Sequence, residues 1–424
     1  MKPRNKFQQQ IVKASKSLTK ITKQQIQWGY DNVVEHIGRR TDKGIVTCTK
    51  CGHSWQGEGE LMNTLLGCSC PNCKTKLTVK TTKKRVFNGC FYMTIITVCK
   101  GFQVLRTIMI KCKGKVGETA KYEHSEVMQR WIAPNGKYAT FARLRQTLGT
   151  CYYDSWIFDT SLELRPENQV YNKIPTGDVY PKQPLIPELK RTGYNNTLKM
   201  KPFDVFHILL SDNRMETLLK TGQTELFQLF LKDRSRKIAD YWASIRICNR
   251  NGYTVKDASI WCDYIGFLRF FGKDLHNAKY VCPSDLNKEH DRYMYKKAKK
   301  DAHEQMETEE LRGKEADFVK TKGKFFGIVF SDGTITVRVL ESIEDVILEG
   351  KLMHHCVGGY YSKEDSLIMS ATIDGKRIET IEISLSKLAV IQSRGVCNQN
   401  TEYHEKIVKL IGQNMSLIQK RLAA

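Results

Sequence analysis

Apolar positions along the 424-residue chain change period several times, and each change predicts a new kind of element. Ile11, Leu18, Ile21 and Ile26 recur at roughly helical spacing among Lys13, Lys16, Lys20 and Lys23, which predicts an amphipathic helix within a basic arm over 1–43. The runs Cys90–Val98 and Gln103–Lys111 are β-type, and Lys100-Gly101 between them is a turn signal, so they predict an antiparallel hairpin. Trp131–Arg145, with its own Pro134-Asn135-Gly136 turn, is a possible third piece of an antiparallel β domain over 83–164. Six of the ten prolines fall between 165 and 202, which predicts a linker over 165–201. Helical spacing then dominates a domain over 202–323. Phe206, Leu209 and Leu210 set it first, then Leu226, Leu229 and Phe230, then Trp261, Tyr264, Ile265 and Leu268. Leu286–Lys322 is dense in both charges and predicts one long, exposed helix.

The last stretch, 324–424, changes texture again. Ser331-Asp332-Gly333 between two apolar runs is a hairpin signal. Ile343–Gly350 predicts a short helix, Thr380–Leu385 with Leu388–Ser393 a second hairpin, and Glu402–Leu422 a closing helix. The expected fold is therefore multidomain α+β: a small cysteine-rich unit over 44–82 with the antiparallel β domain, a helical middle, and a compact C-terminal α+β domain.

With 41% hydrophobic residues, cores can form, and disorder throughout is excluded. No window approaches about 20 uninterrupted apolar residues, so membrane insertion is not expected. The N-terminus has no secretory h-region, and the 14 cysteines do not read as a disulfide framework. A cytoplasmic protein with reduced thiols is expected. The formal charge of +23 sits unevenly: residues 1–150 hold 27 Lys and Arg against 8 Asp and Glu, and the remainder hold 41 against 37. Concentrating the excess in one third of the chain points to a polyanionic partner met by that third. A solvated charged face is the plainer alternative.

Cys48-Thr-Lys-Cys51 is followed, after 18 residues, by Cys70-Pro-Asn-Cys73. Two such knuckles suit tetrahedral Zn²⁺, because each tight turn offers two thiolates to one ion. Cys68 or His53 could substitute as a ligand. Four thiolates leave no open coordination position, so the expected zinc is structural. A lone Cys-x-x-Cys could be a redox pair, but the second pair argues against that. Beside the knuckles lie Lys74, Lys76, Lys80, Lys83, Lys84 and Arg85 among threonines, a candidate stripe for phosphate contacts. A solubilising strand face would look similar. DNA and RNA are not distinguished by these residues.

The second constellation is C-terminal: Leu352-Met-His354-His355-Cys356-Val-Gly-Gly-Tyr360, then Thr380-Ile-Glu382-Ile, then Gln392-Ser-Arg394-Gly-Val-Cys397-Asn398. Together these motifs resemble the PcfJ-like family of conjugative plasmids, phages and other mobile elements, over roughly 325–412. The helical block before them is weakly similar to longer members. The resemblance implies an accessory protein of DNA processing or transfer, with relaxase or coupling proteins as partners. It transfers no established catalytic residues.

On paired strands Glu382, Gln392 and Arg394 can share one face, with His355 and Cys356 delivered by a glycine-rich turn. Tyr360 and Asn398 complete the candidate cluster. Glu or His as base and Arg as charge stabiliser could run hydrolysis or phosphoryl transfer, and Cys356 could be a nucleophile. The plainer alternative is a structural network built on a cross-strand Glu–Arg pair. Two function classes follow: a nucleic-acid-binding accessory protein of a conjugative plasmid, transposon or phage (DNA favoured), and a nuclease or transferase acting through the C-terminal cluster. No Walker-type loop is present, which disfavours an ATP-driven motor.

Overall fold

A computed structural model describes residues 2–57, 68–148, 151–166, 171, 174, 178–195 and 200–424. They form two compact units, residues 1–242 with 254–256 and residues 243–253 with 257–424.

The first unit opens with helices α1 (Lys6–Ser15) and α2 (Lys23–Asn32). The Asn5 side chain caps α1, and Thr22 with Gln25 forms a capping box on α2. A small sheet follows from β1 (Ile37–Arg40), β2 (Ile45–Cys48), β3 (Ser54–Gln56), β4 (Cys68–Ser69) and β5 (Lys76–Thr81), in the order β3-β2-β1-β5-β4. The larger sheet is built on β6 (Val86–Cys99) and β7 (Phe102–Lys115), joined by Lys100 and Gly101. Both turn residues take positive φ, 48° and 80°, the geometry that matches strand twist in a two-residue hairpin. It continues through β8 (Lys121–Ile132) and β9 (Tyr138–Ala142), and β10 (Leu144–Leu148) and β11 (Cys151–Ile157) pair separately. β12 (Glu163–Arg165) and β13 (Asp178–Val179) complete its edges.

Residues 1–43 are not a free arm. Ile11 and Ala14 pack with Val104, Trp131 and Phe141, and Ile26 packs with Met93, Ile95, Ile108 and Ile110, so both helices cover one face of the larger sheet. Arg106, buried on that face, bonds Glu126 at 2.8 and 2.6 Å and the Thr19 carbonyl at 2.7 Å, fixing the connection between the helices. The described part of the proline-rich stretch is likewise docked rather than a linker. The Gln103 side chain accepts the Ile186 N–H and donates to the Pro184 carbonyl, seating α3 (Pro187–Arg191) with Leu189 fully buried. Helices α4 (Pro202–Ser211), α5 (Asn213–Lys220) and α6 (Thr224–Lys232) close the unit.

The second unit starts in α7 (Trp242–Arg250), so the helical stretch 202–323 is not one domain but is divided between the units. α8 (Ala258–Phe270) and α9 (Ala278–Val281) are tied by bonds from Trp261 Nε1 and Tyr264 Oη to the Val281 and Tyr280 carbonyls. The charged stretch expected as one helix is two, α10 (Leu286–Met306) and α11 (Glu309–Lys322), broken at Glu307-Thr308. An antiparallel sheet follows in sequence order: β14 (Val329–Ser331), β15 (Thr336–Val339), β16 (Ser366–Ile373), β17 (Lys376–Ser384) and β18 (Ala389–Arg394). α12 (Ile343–Met353) and a 3₁₀ helix over Cys356–Ser362 lie between β15 and β16, and α13 (His404–Ala423) ends the chain. α13 covers one sheet face through Ile407, Leu410, Ile411 and Ile418, and α12 covers the other through Val346 and Ile347 against Ile368.

Gly358-Gly359, read as a turn, lie inside the 3₁₀ helix. That helix crosses α12 at Gly350, where a Cβ would stand 2.7 Å from Gly358 N and 3.0 Å from its Cα. Backbone cannot yield as a flexible side chain can. Gly350→Ala should therefore destabilise the second unit by about 1–3 kcal/mol, measured as a lower denaturation midpoint by circular dichroism.

Candidate functional site

In the first unit, β2 ends on Cys48, and two tight turns present Cys48 with Cys51 and Cys70 with Cys73. Each turn is closed four residues on, by Gly52 N–H to the Cys48 carbonyl and by Lys74 N–H to the Cys70 carbonyl, both at 2.9 Å. Gly52 and Lys74 take positive φ there, 80° and 57°. The four sulfurs lie within 4.8 Å of one another, with Cys48–Cys73 at 3.8 Å and Cys51–Cys70 at 3.6 Å. A tetrahedron with metal–sulfur bonds of about 2.3 Å has edges of about 3.8 Å, so the four thiolates fit one metal ion. The Lys50 N–H, 3.4 Å from Cys48 Sγ, supplies the kind of donor a metal thiolate needs. Cys68 and His53 are outside the group; His53 stacks on Trp55 instead.

β5 leaves this site with Leu77 turned inward, while Lys76, Thr78 and Lys80 alternate outward. Lys74, Lys76, Lys80, Lys83, Lys84 and Arg85 are all exposed. Lys80 has Glu35 at 3.8 Å, and Lys84 stands over the Phe87 ring at 5.6 Å.

In the second unit, strand register does what the alternation requires. Glu382 pairs with Gln392 and Thr380 with Arg394, so Glu382, Gln392 and Arg394 share a sheet face. α12 ends with His354 in the left-handed conformation (φ 53°), and the chain then brings His355 and Cys356 over that face. His355, Cys356, Glu382, Gln392, Arg394 and Asn398 line one cavity of about 190 Å³. Tyr360 is not in its wall but contacts Cys356, Oη to Sγ, at 3.3 Å. That thiol contact, with burial, holds the Tyr360 phenol above its ordinary pKa.

The pairing inside the cluster differs from a Glu–Arg bridge. Glu382 Oε1 accepts from Lys363 Nζ at 3.0 Å and Ser366 Oγ at 2.5 Å, and Oε2 accepts from Gln392 Nε2 at 3.0 Å. Burial works against the Lys363 charge, but the Glu382 carboxylate outweighs it and raises the ammonium's pKa. Lys363 Nζ also sits 3.2 Å from the Tyr360 ring centroid. Arg394 instead bonds the Asn400 side chain. His355 Nε2 lies 2.6 Å from the Gly395 carbonyl, an acceptor that requires the proton on that nitrogen, and 3.4 Å from the Asn398 N–H. Glu382 thus accepts three bonds, and with the proton on Nε2 the neutral His355 ring keeps Nδ1 as its acceptor.

Two further buried carboxylates escaped the sequence reading. Glu349 on α12 is fully buried, bonded by Arg377 Nε at 2.6 Å and Thr380 Oγ1 at 2.9 Å. Glu379, also fully buried, faces α13 and is met by Ser393 Oγ at 2.5 Å, Thr401 Oγ1 at 2.6 Å and His404 Nδ1 at 3.1 Å. The available signal was Glu379-Thr-Ile-Glu382: carboxylates three apart on a strand face opposite sides, so each needs its own partners.

Residues 260–408 match the model of a protein family described as PcfJ-like protein. The match takes in α8 through the start of α13, including the whole polar cavity, so the resemblance extends well upstream of residue 325. No curated protein and no solved structure matches the chain.

Burial pushes the Glu379 carboxyl upward, but the bonds from Ser393, Thr401 and His404 outweigh it, and the pKa lies below the usual carboxylate value. A depressed folded-state pKa stabilises above the unfolded value, about 4.3, and that contribution is lost as pH falls through the folded value. Glu379→Gln should therefore be less stable than the parent chain at neutral pH. Urea titrations should show the two converging as pH drops below about 4.

Proposed function

We propose that this PcfJ-like chain is a nucleic-acid-binding accessory protein of a mobile genetic element, a conjugative plasmid, transposon or phage, that supports DNA processing or transfer inside the cell. One observation carries the reading: six exposed cations lie on the second turn of a four-cysteine knuckle pair, the strand that leaves it and the connection after that strand. The knuckles hold structural Zn²⁺, the usual ion of Cys₄ ribbons. The cations neutralise backbone phosphates, which gives affinity without sequence readout. DNA is favoured over RNA by the mobile-element setting alone. A relaxase or coupling protein is the partner class that this setting implies.

The second reading, a nuclease or transferase at the C-terminal cavity, is favoured by the convergence of His355, Cys356, Gln392, Arg394 and Asn398 on one opening. It is weakened by the three bonds that Glu382 already accepts. Arg394 bridges no carboxylate among the described residues, so Arg394→Ala should cost folding no more than about 1 kcal/mol. Any cleavage or transfer activity lost in that variant would then report chemistry rather than collapse.

Protein prepared without chelator should contain one equivalent of zinc by elemental analysis, and Cys70→Ser should release it and loosen 44–82, since metal supplies folding energy to such small units. Protein devoid of zinc would sink the ribbon reading. Duplex binding should weaken with a log–log salt slope of about −0.9 per phosphate neutralised. Replacing Lys80, Lys83, Lys84 and Arg85 by Ala should flatten that slope; an unchanged slope would put the contact surface elsewhere.

A further inference from the structure

The second unit carries nearly balanced charge, yet one part of it does not share that balance. Along α10, Arg292, Lys296, Lys299, Lys300 and His303 recur at helical spacing on one side. Of these, Lys296, Lys299, Lys300 and His303 border, with Phe271, Lys273 and Tyr295, a groove of about 630 Å³. Lys297 and Lys300 answer Asp301 and Glu304, at 2.6 and 3.7 Å. Lys273, Lys296 and Lys299 make no ion pair among the described residues. The acidic groups that do reach the groove are few: Glu344 lines it, 3.7 Å from His303.

Aromatic rings are interleaved with these cations. Lys296 Nζ stands 5.3 Å over the Tyr293 ring, and Lys297 and Lys300 stand 4.9 and 5.0 Å over Phe270. Tyr293 is buried beneath the groove, but Tyr295 and Phe270 keep 41% and 43% of their surface exposed. Arg377 stands 5.9 Å over the Tyr295 ring, and the exposed part of that ring shares the groove lining with Lys273, Lys296 and Lys299.

We infer that this groove binds single-stranded nucleic acid, with Lys273, Lys296 and Lys299 on the phosphates and the Tyr295 ring under an unpaired base. This rests on the nucleic-acid reading above and deepens it. A basic groove with accessible rings is the arrangement that holds single strands without sequence preference, because every base has a stacking face once it is unpaired. A duplex hides those faces and would engage only the lysines. The two units then divide the work: the exposed stripe of the first holds backbone of either form, and the groove of the second selects unpaired strand.

The test uses the intact protein and fluorescence anisotropy with a labelled oligothymidylate and a labelled duplex. Tyr295→Ala should weaken oligothymidylate binding about tenfold, Tyr295→Phe should retain it, and duplex affinity should change less than twofold in either. Lys296→Gln with Lys299→Gln should reduce the single-strand salt slope by about 1.4, at about 0.7 per phosphate contact. All three side chains are exposed, and thermal melting verifies folding. If the parent chain binds oligothymidylate and neither variant alters it, the groove is overturned while the nucleic-acid reading stands. Equal losses on duplex and single strand, or tighter binding of a poly-glutamate peptide than of oligothymidylate, also overturn it. If the parent chain binds neither nucleic acid, the broader reading fails and the groove with it.

Discussion

A carboxylate taken out of water must be met by donors from its neighbours, and the C-terminal sheet buries three within a few residues of one strand. Glu349, Glu379 and Glu382 are each almost or wholly inaccessible, and each is bonded by at least two side chains from other segments. Removing one partner of such a group costs several kcal/mol, far more than a misplaced methyl on the same sheet. These bonds therefore act as registration marks. Glu349 fixes α12 to β17 through Arg377 and Thr380. Glu379 fixes the start of α13 and the end of β18. Glu382 fixes the segment after the 3₁₀ helix through Lys363. The positions of His355, Cys356 and Arg394 follow from those three attachments, since none of these side chains bonds a carboxylate itself among the described residues.

That constraint also explains what could and could not be read in advance. The β17–β18 pairing was legible because Thr380–Leu385 and Leu388–Ser393 are short, apolar and separated by a turn. Strand alternation then dictated that Glu382, Gln392 and Arg394 share a face. β16 was not legible: its eight residues are buried or half-buried on both faces, so Ser366–Ile373 shows no in–out alternation. The true partner of Glu382 was missed because Lys363 is nineteen residues away and its ammonium is recruited by tertiary folding, not by period. Glu349 sits in a helix whose apolar stripe says nothing about a buried acid.

In the first unit the amphipathic pattern of residues 1–43 was correctly periodic, but period alone does not say what covers the stripe. The larger sheet does, because β6 and β7 are fourteen residues each and present a face too apolar to leave open. Arg106 and Gln103 then act as buried anchors for segments that read as an arm and a linker. The small sheet behaves differently. Its core is little more than Cys48, Cys70 and Leu77, with Trp55 at the side, which is too small to offset chain entropy by burial alone. The sulfur geometry matters there for folding as much as for binding. A metal at that point rigidifies β5, and a rigid β5 is what keeps Lys76 and Lys80 on one line.

The two units thus answer the same problem, how to present cations where water would otherwise screen them, by different means. On β5, Lys76 and Lys80 are four residues apart and stand about 13 Å from each other on one side of the strand, with Thr78 between them. On α10 the helical repeat clusters them around rings, with Lys296 over Tyr293 and Lys297 and Lys300 over Phe270. In the polar cavity a third arrangement appears: Lys363 is spent on Glu382 and Tyr360, and only Arg394 is left facing the opening. A catalytic site for phosphoryl chemistry would ordinarily combine such an arginine with a base able to accept a proton. Three of the four acceptor positions of Glu382 are taken by Lys363, Ser366 and Gln392, and with His355 Nε2 spent on a carbonyl the neutral ring keeps Nδ1 as its acceptor. Carboxylates tie this scaffold together, and cations are what it presents outward.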